Sequence, residues 1–339
     1  MRSTRLPVNA GAPAQQDAQG RSITYLRISV TDRCNFRCLY CMPEEGLEWL
    51  PKSQILTYEE IAEIVRQLAP RGIRRLRITG GEPTIRPDLE TLIGYLKAVP
   101  GIEDVALSTN GVKLPKKAGD YADAGLDRVN VSVDSLVPER IAKIARRNLG
   151  FDPIAALRAA GRAGLSPVKL NCVVMRGIND DEIESLARLT LEHPWHVRFI
   201  ELMPVGDLAT LEWQHVVPSA EVLERSAAAL GGLEPAAAGS PLGNGPAEYW
   251  RGPGAPGTVG VITPMTHTYC GSCNRVRLTA DGRLRTCLFG THEVNFRDAL
   301  RRGEPVAPLF TQALREKPPE HHLREMDAGG LRALSQVGG

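Results

Sequence analysis

Cys34-Asn35-Phe36-Arg37-Cys38-Leu39-Tyr40-Cys41 brings three thiols into eight residues. Three thiolates on so short a loop can grip three corners of a metal cluster. That is one fewer than the four ligands of a structural zinc ion, or of an iron-sulfur cluster held by protein alone. The spacing therefore points to an iron left open for a small molecule, and a zinc knuckle completed by a distant fourth ligand is the alternative. A secreted disulfide scaffold would be shorter and would spread its cysteines. Clustered thiols in a chain of 339 residues point to metal binding or catalysis in a reducing compartment.

Outward from this loop, short β-rich runs (TYLRISV, IRRLRIT, DVALST, RVNVSV, PVKLNCVV and WHVRFIEL) alternate with helical stretches, as βα units around a parallel sheet do. Thr57-Tyr58-Glu59-Glu60 reads as a capping box, and a further helix is expected near Asn179. Six units are too few for a closed eight-fold barrel, and no Gly-x-Gly-x-x-Gly opens a dinucleotide fold. The expected class is α/β: an open partial (β/α)6 TIM-type barrel with its active site at the mouth, plus a smaller C-terminal cluster-binding domain. The expected organisation is a disordered leader over 1–22, the barrel over 23–230, a Gly/Pro-rich loop and hairpin over 231–257, a cysteine-bearing domain over 258–330 and a tail over 331–339.

A hydrophobic content of 42% supports a sizeable core. The 41 basic and 39 acidic residues leave a net charge of +2, which offers no global field for a nucleic acid, so an anionic ligand needs a local cationic cluster. No run of about 18 apolar residues spans a bilayer, and the start lacks the apolar middle of a signal peptide. The expectation is a cytoplasmic protein with no membrane partner.

A second constellation comprises Cys270, Cys273 and Cys287, again three thiols without a fourth. His267 or His292 could complete a zinc site there, which keeps the zinc alternative open. Cys172, inside an expected strand, reads as a buried apolar thiol. Arg275 and Arg277, two residues apart on an extended segment, point to one side and can fork onto phosphate oxygens.

The C-x3-C-x2-C spacing, Tyr40 before its last cysteine and Gly80-Gly81-Glu82-Pro83 at the end of the next expected strand together resemble the radical S-adenosylmethionine superfamily. Adding CNRVRLTADGRLRTC after the second CxxC and the terminal Gly338-Gly339, the chain from about Leu26 onward resembles the GTP 3′,8-cyclase family of molybdenum cofactor biosynthesis. The resemblance implies two [4Fe-4S] clusters and S-adenosylmethionine as cofactors. Cys34, Cys38 and Cys41 would ligate the cluster that reductively cleaves S-adenosylmethionine. Cys270, Cys273 and Cys287 would ligate an auxiliary cluster that meets guanine. Tyr40, Gly81, Ser132 and Met203 would contact S-adenosylmethionine. Arg27, Arg77, Thr109, Lys169, Arg275 and Arg277 would bind GTP, and Arg198, Gly338 and Gly339 would complete the catalytic chamber.

The implied reaction starts with hydrogen removal from C3′ of GTP by a 5′-deoxyadenosyl radical and ends with a C3′–C8 bond. Implied partners are GTP, a one-electron reductant protein and the downstream pterin synthase, with a homodimer left open. A radical enzyme acting on a peptide and a non-enzymatic zinc-binding module are the rival readings.

Overall fold

In the computed structural model, residues 13–203, 211–236, 245–321 and 332–338 are described. The expected strands form as β1 (Tyr25–Ser29), β2 (Arg75–Thr79), β3 (Asp104–Thr109), β4 (Arg128–Ser132), β5 (Lys169–Val174) and β6 (His196–Glu201), all parallel neighbours in that order. Each strand alternates polar and apolar residues. The apolar set, including Leu26, Ile28, Leu76, Ile78, Val129, Val131, Leu170, Val197 and Phe199, is buried in the main core with the helices. The opposite set, Arg27, Arg77, Asn130, Asn171 and Arg198, lines a cavity inside the barrel.

The chain then supplies β7 (Glu234–Pro235), β8 (Glu248–Arg251), β9 (Thr258–Ile262), β10 (Arg275–Leu278), β11 (Arg283–Arg285) and β12 (Glu293–Asn295). These strands join the same sheet. β9 pairs parallel with β6 and β10 pairs parallel with β1, which gives one twelve-stranded sheet with eight parallel strands at its centre. The reason is that a six-stranded open sheet leaves two edges of unpaired N–H and C=O groups, and these strands satisfy both. The end strands β12 and β7 do not pair among the described residues, so the barrel stays open. The expected hairpin forms between β8 and β9.

Local signals act as expected. Thr57 accepts from the Glu60 N–H and Glu60 accepts from the Thr57 N–H, closing the capping box of α1 (Tyr58–Leu68). A single turn over Asp180–Glu182 leads into α2 (Ile183–Glu192).

The expectation of a disordered leader is corrected for residues 13–22. Gln16 bridges Ser22, and the buried Arg21 pairs with Asp17 at 2.6 Å. Arg21 also donates to the carbonyls of Cys270, Pro319 and Pro318 at 2.8, 2.8 and 2.7 Å. A guanidinium that closes three distant carbonyls has no signature in local composition. Residues 1–12, 237–244 of the Gly/Pro-rich loop and Gly339 lie outside the described residues.

Candidate active site

The first thiol loop follows β1 and is locked to the end of β2. Gly81 N–H donates to Thr31 O and Glu82 N–H to Arg33 O, both at 2.8 Å. A Cβ on Gly81 would lie 2.2 Å from the Arg33 carbonyl oxygen, so only glycine permits this backbone approach. Glu82 is buried and accepts from Thr84 Oγ1 (2.5 Å), Thr109 Oγ1 (2.7 Å) and Asn110 N–H (2.7 Å).

These contacts shape a first cavity lined by Cys34, Cys38, Cys41, Tyr40, Gly81 and Ser132. Burial pushes the Cys34 and Cys41 thiols up to about 12, with Glu82 adding to the rise at Cys34 and Cys34 to that at Cys41. Burial likewise holds Cys38 well above its ordinary value, reinforced by Asp134 and the other two sulfurs. Three thiolates here need a compensating positive charge, which an iron cluster carries. Among the described residues no three His, Cys, Asp or Glu side chains converge on one metal ion. The donor set of soft sulfurs around a cavity fits an iron-sulfur cluster.

A second cavity adjoins the first and shares Tyr40, Ser108, Ser132, Asp134 and Leu334 with it. Strand register builds its cationic wall: Arg27 on β1 stands level with Arg277 on β10 and Arg77 on β2. Arg77 bonds to the Tyr25 hydroxyl and donates to Ser108 Oγ at 3.1 Å. Arg198 is 4% exposed, and burial lowers its pKa. Its Nε and Nη2, with Asn130 Oδ1 and Asn171 Oδ1, are buried polar atoms lacking hydrogen-bond partners among the described residues, as expected of groups awaiting a polar ligand. Lys169 is 1% exposed, and burial reinforced by Arg198, Arg128 and Arg77 lowers its pKa to about 5.

The second thiol trio stands at this cavity's rim. Cys270 opens a single turn and Cys273 follows it, Cys287 comes after β11, and Tyr269, Arg275, Arg277 and Leu288 face the cavity. Burial pushes the Cys273 thiol up, but Lys317 and Arg275 outweigh it and bring it down to about 7. His292 pairs with Glu316 at 2.8 Å.

The tail reaches both cavities. Leu334 and Ser335, in a terminal helical turn over Leu334–Val337, line the first. The Gly338 carbonyl accepts from Arg27 Nε at 3.1 Å and Arg277 Nη1 at 2.5 Å.

The structure thus gathers Arg27, Arg77, Arg198, Arg275, Arg277 and Met203 on the second cavity, with Lys169 on the same inward register of β5. Thr109 stands apart: Glu82 captures its hydroxyl, and it lines the first cavity, not the second. Cys172 is buried and remote in character from either trio, its sulfur 3.8 Å from the Asp134 carbonyl. Sequence reasoning missed Asn130, Asn171 and Asp134. The two asparagines carried the same signal as Lys169, a polar residue at every second position of an otherwise apolar strand.

Comparison with known proteins gives a consistent result. The Radical SAM superfamily model matches residues 28–190, and that of Molybdenum Cofactor Synthesis C matches residues 195–323. A GTP 3′,8-cyclase of Pelotomaculum thermopropionicum is 47% identical over 96% of this chain and 100% of its own length. A GTP 3′,8-cyclase of Heliobacterium modesticaldum is 46% identical over 95% of this chain and 99% of its own. Among solved structures, Streptococcus suis SuiB bound to S-adenosylmethionine shares the fold, with a TM-score of 0.59 at 14% identity over 93% of this chain and 77% of SuiB.

Proposed function

We propose that this chain, which belongs to the GTP 3′,8-cyclase family of radical S-adenosylmethionine enzymes, works at the wall shared by its two cavities. It is a lyase that converts GTP to (8S)-3′,8-cyclo-7,8-dihydroguanosine 5′-triphosphate and cleaves S-adenosylmethionine to 5′-deoxyadenosine and methionine, the first step of molybdenum cofactor biosynthesis. Its cofactors are S-adenosylmethionine and two [4Fe-4S] clusters. The observation that carries the assignment of residues is the adjacency of a thiol-lined cavity and a cationic one, with Tyr40, Ser132 and Asp134 in both linings.

Cys34, Cys38 and Cys41 would hold the first cluster, which would supply the electron for reductive cleavage of S-adenosylmethionine. Tyr40, Gly81 and Ser132 bind S-adenosylmethionine beside it, and Met203 meets it from the second cavity. Thr109, bonded to Glu82, holds that carboxylate in place. Cys270, Cys273 and Cys287 hold the auxiliary cluster at the guanine end.

Arg27, Arg77, Lys169, Arg275 and Arg277 neutralise the triphosphate. Arg198 and the two asparagines offer unused polar atoms to the rest of the nucleotide. Adjoining cavities hold both ligands at once, so proximity does much of the work. The Gly338 carbonyl orients Arg27 and Arg277, and its backbone helps to keep water from the chamber.

A one-electron reductant protein serves the first cluster, and the downstream pterin synthase takes the product. The unpaired cysteines fit a reducing cytoplasm. A homodimer is compatible with this arrangement.

The test is an anaerobic assay with GTP, S-adenosylmethionine and dithionite. Cys34→Ser, Cys38→Ser and Cys41→Ser should each abolish 5′-deoxyadenosine formation. Cys287→Ser should retain part of it while losing the cyclised product, and normal product from that variant would remove the auxiliary role.

A further inference from the structure

Lys317 is 3% exposed, and its ammonium points into the second thiol trio. Nζ lies 3.6 Å from Cys273 Sγ, 3.2 Å from the Arg275 carbonyl and 2.5 Å from the Thr286 carbonyl. An ammonium has three protons, and three acceptors receive them. The acceptors come from both segments that carry the trio: Cys273 and Arg275 from one, and Thr286, next to Cys287, from the other. The titratable or charged groups facing Lys317 are Cys273, Cys287 and Arg21.

Arg21 stiffens the arrangement. It donates to Cys270 O and to the carbonyls of Pro318 and Pro319, the two residues after Lys317, while Asp17 balances its charge. The peptide that carries Lys317 is therefore tied to the first cysteine of the trio. A buried cation is costly unless matched by negative charge, and the sulfur it touches is a ligand to a cluster whose thiolates supply that charge.

We propose that Lys317 is the positioning cation of the auxiliary cluster: it joins the Cys273 and Cys287 segments into one site and makes the cluster easier to reduce. The proposal rests on Cys270, Cys273 and Cys287 ligating a cluster. A one-electron reduction adds negative charge to the cluster, and a hydrogen-bonding cation at a ligating sulfur stabilises that state more than the oxidised one. Lys317 is placed to act through the cluster without touching substrate.

The experiment compares full-length wild-type, Lys317→Gln and Lys317→Arg proteins, each anaerobically reconstituted, by EPR-monitored redox titration and iron content. Lys317→Gln keeps a donor and removes the charge; Lys317→Arg keeps the charge. One cluster of Lys317→Gln should show a fall of about tenfold or more in its one-electron reduction constant, about 59 mV, while the other keeps its potential. Lys317→Arg should stay near wild type. Loss of about half the iron from Lys317→Gln alone, with the S-adenosylmethionine-responsive EPR signal kept, also supports the positioning role. Unchanged potentials in Lys317→Gln, a shared shift of both clusters, or equal failure of both variants overturns the proposal. A wild-type protein with only one cluster would instead overturn the cluster assignment beneath it.

Discussion

The Tyr40 hydroxyl donates to Asp134 Oδ2 across 2.7 Å and so joins the first thiol loop to the end of β4, at the wall common to both cavities. Asp134 also accepts from Val173 N–H at 2.9 Å, yet burial outweighs both donors and raises its pKa to about 6. Tyr40→Phe leaves this buried carboxylate short of a donor. The expected cost is about 1–3 kcal/mol of stability, seen as a lower Tm, together with weaker S-adenosylmethionine binding. Because the folded value is raised, this group's contribution is full below the ordinary 3.8 and is lost as pH rises through about 6. Asp134→Asn should flatten stability in that window.

Lys169 makes GTP binding a proton-linked event. Its pKa is depressed from the ordinary 10.5 to about 5, so the ligand-free site holds it neutral near pH 7.5. A triphosphate restores the charged form. Calorimetry in buffers of different ionisation enthalpy should therefore show proton uptake on GTP binding, and Lys169→Met should abolish that uptake. The sign for folding follows from the same shift: this group's contribution is full above 10.5 and is lost as pH falls toward about 5.

Arg275 and Arg277 stand on one side of β10, and burial, with Arg275 next to it, lowers Arg277 to about 10. Replacing each with Ala should weaken GTP far more than guanosine. Charge-assisted bonds of about 1.5–3 kcal/mol correspond to roughly ten- to a hundredfold per arginine. Equal losses for the two ligands in anaerobic binding measurements would count against phosphate recognition.

Gly338 adopts a left-handed conformation (φ +68°), and a Cβ there would lie 2.6 Å from Thr79 Cγ2. Gly338→Ala should unseat the tail from Arg27 and Arg277, lowering cyclisation with iron content unchanged and leaving S-adenosylmethionine cleavage uncoupled from product. Adding Thr79→Ser removes the colliding methyl and should recover part of the activity, the remainder being the strain of positive φ. Full activity of the single variant would show that the tail needs no glycine there.

The two thiol trios, the glycine pair at the end of β2 and the placing of Arg275 and Arg277 on one side of an extended segment were legible from the chain alone. Each is built within one short segment, where spacing and chemistry already limit what can form. The six strands were legible for a similar reason: alternation of polar and apolar residues is a local consequence of pleated backbone facing two environments. The resemblance, not the alternation, singled out Arg27 and Lys169 as facing the substrate.

Only the tertiary structure decided what depends on segments far apart in sequence. It extended the six-stranded sheet at both edges with β9 and β10, because unpaired strand edges take the partners that the fold brings near. It set Arg27 level with Arg77 and Arg277, a matter of register between strands. It folded Arg21 out of an apparent leader onto Cys270, and it brought Lys317 onto Cys273, 44 residues away. A local motif can name the groups that meet a ligand, but the charges that surround those groups are chosen by packing, which joins residues without regard to their distance along the chain.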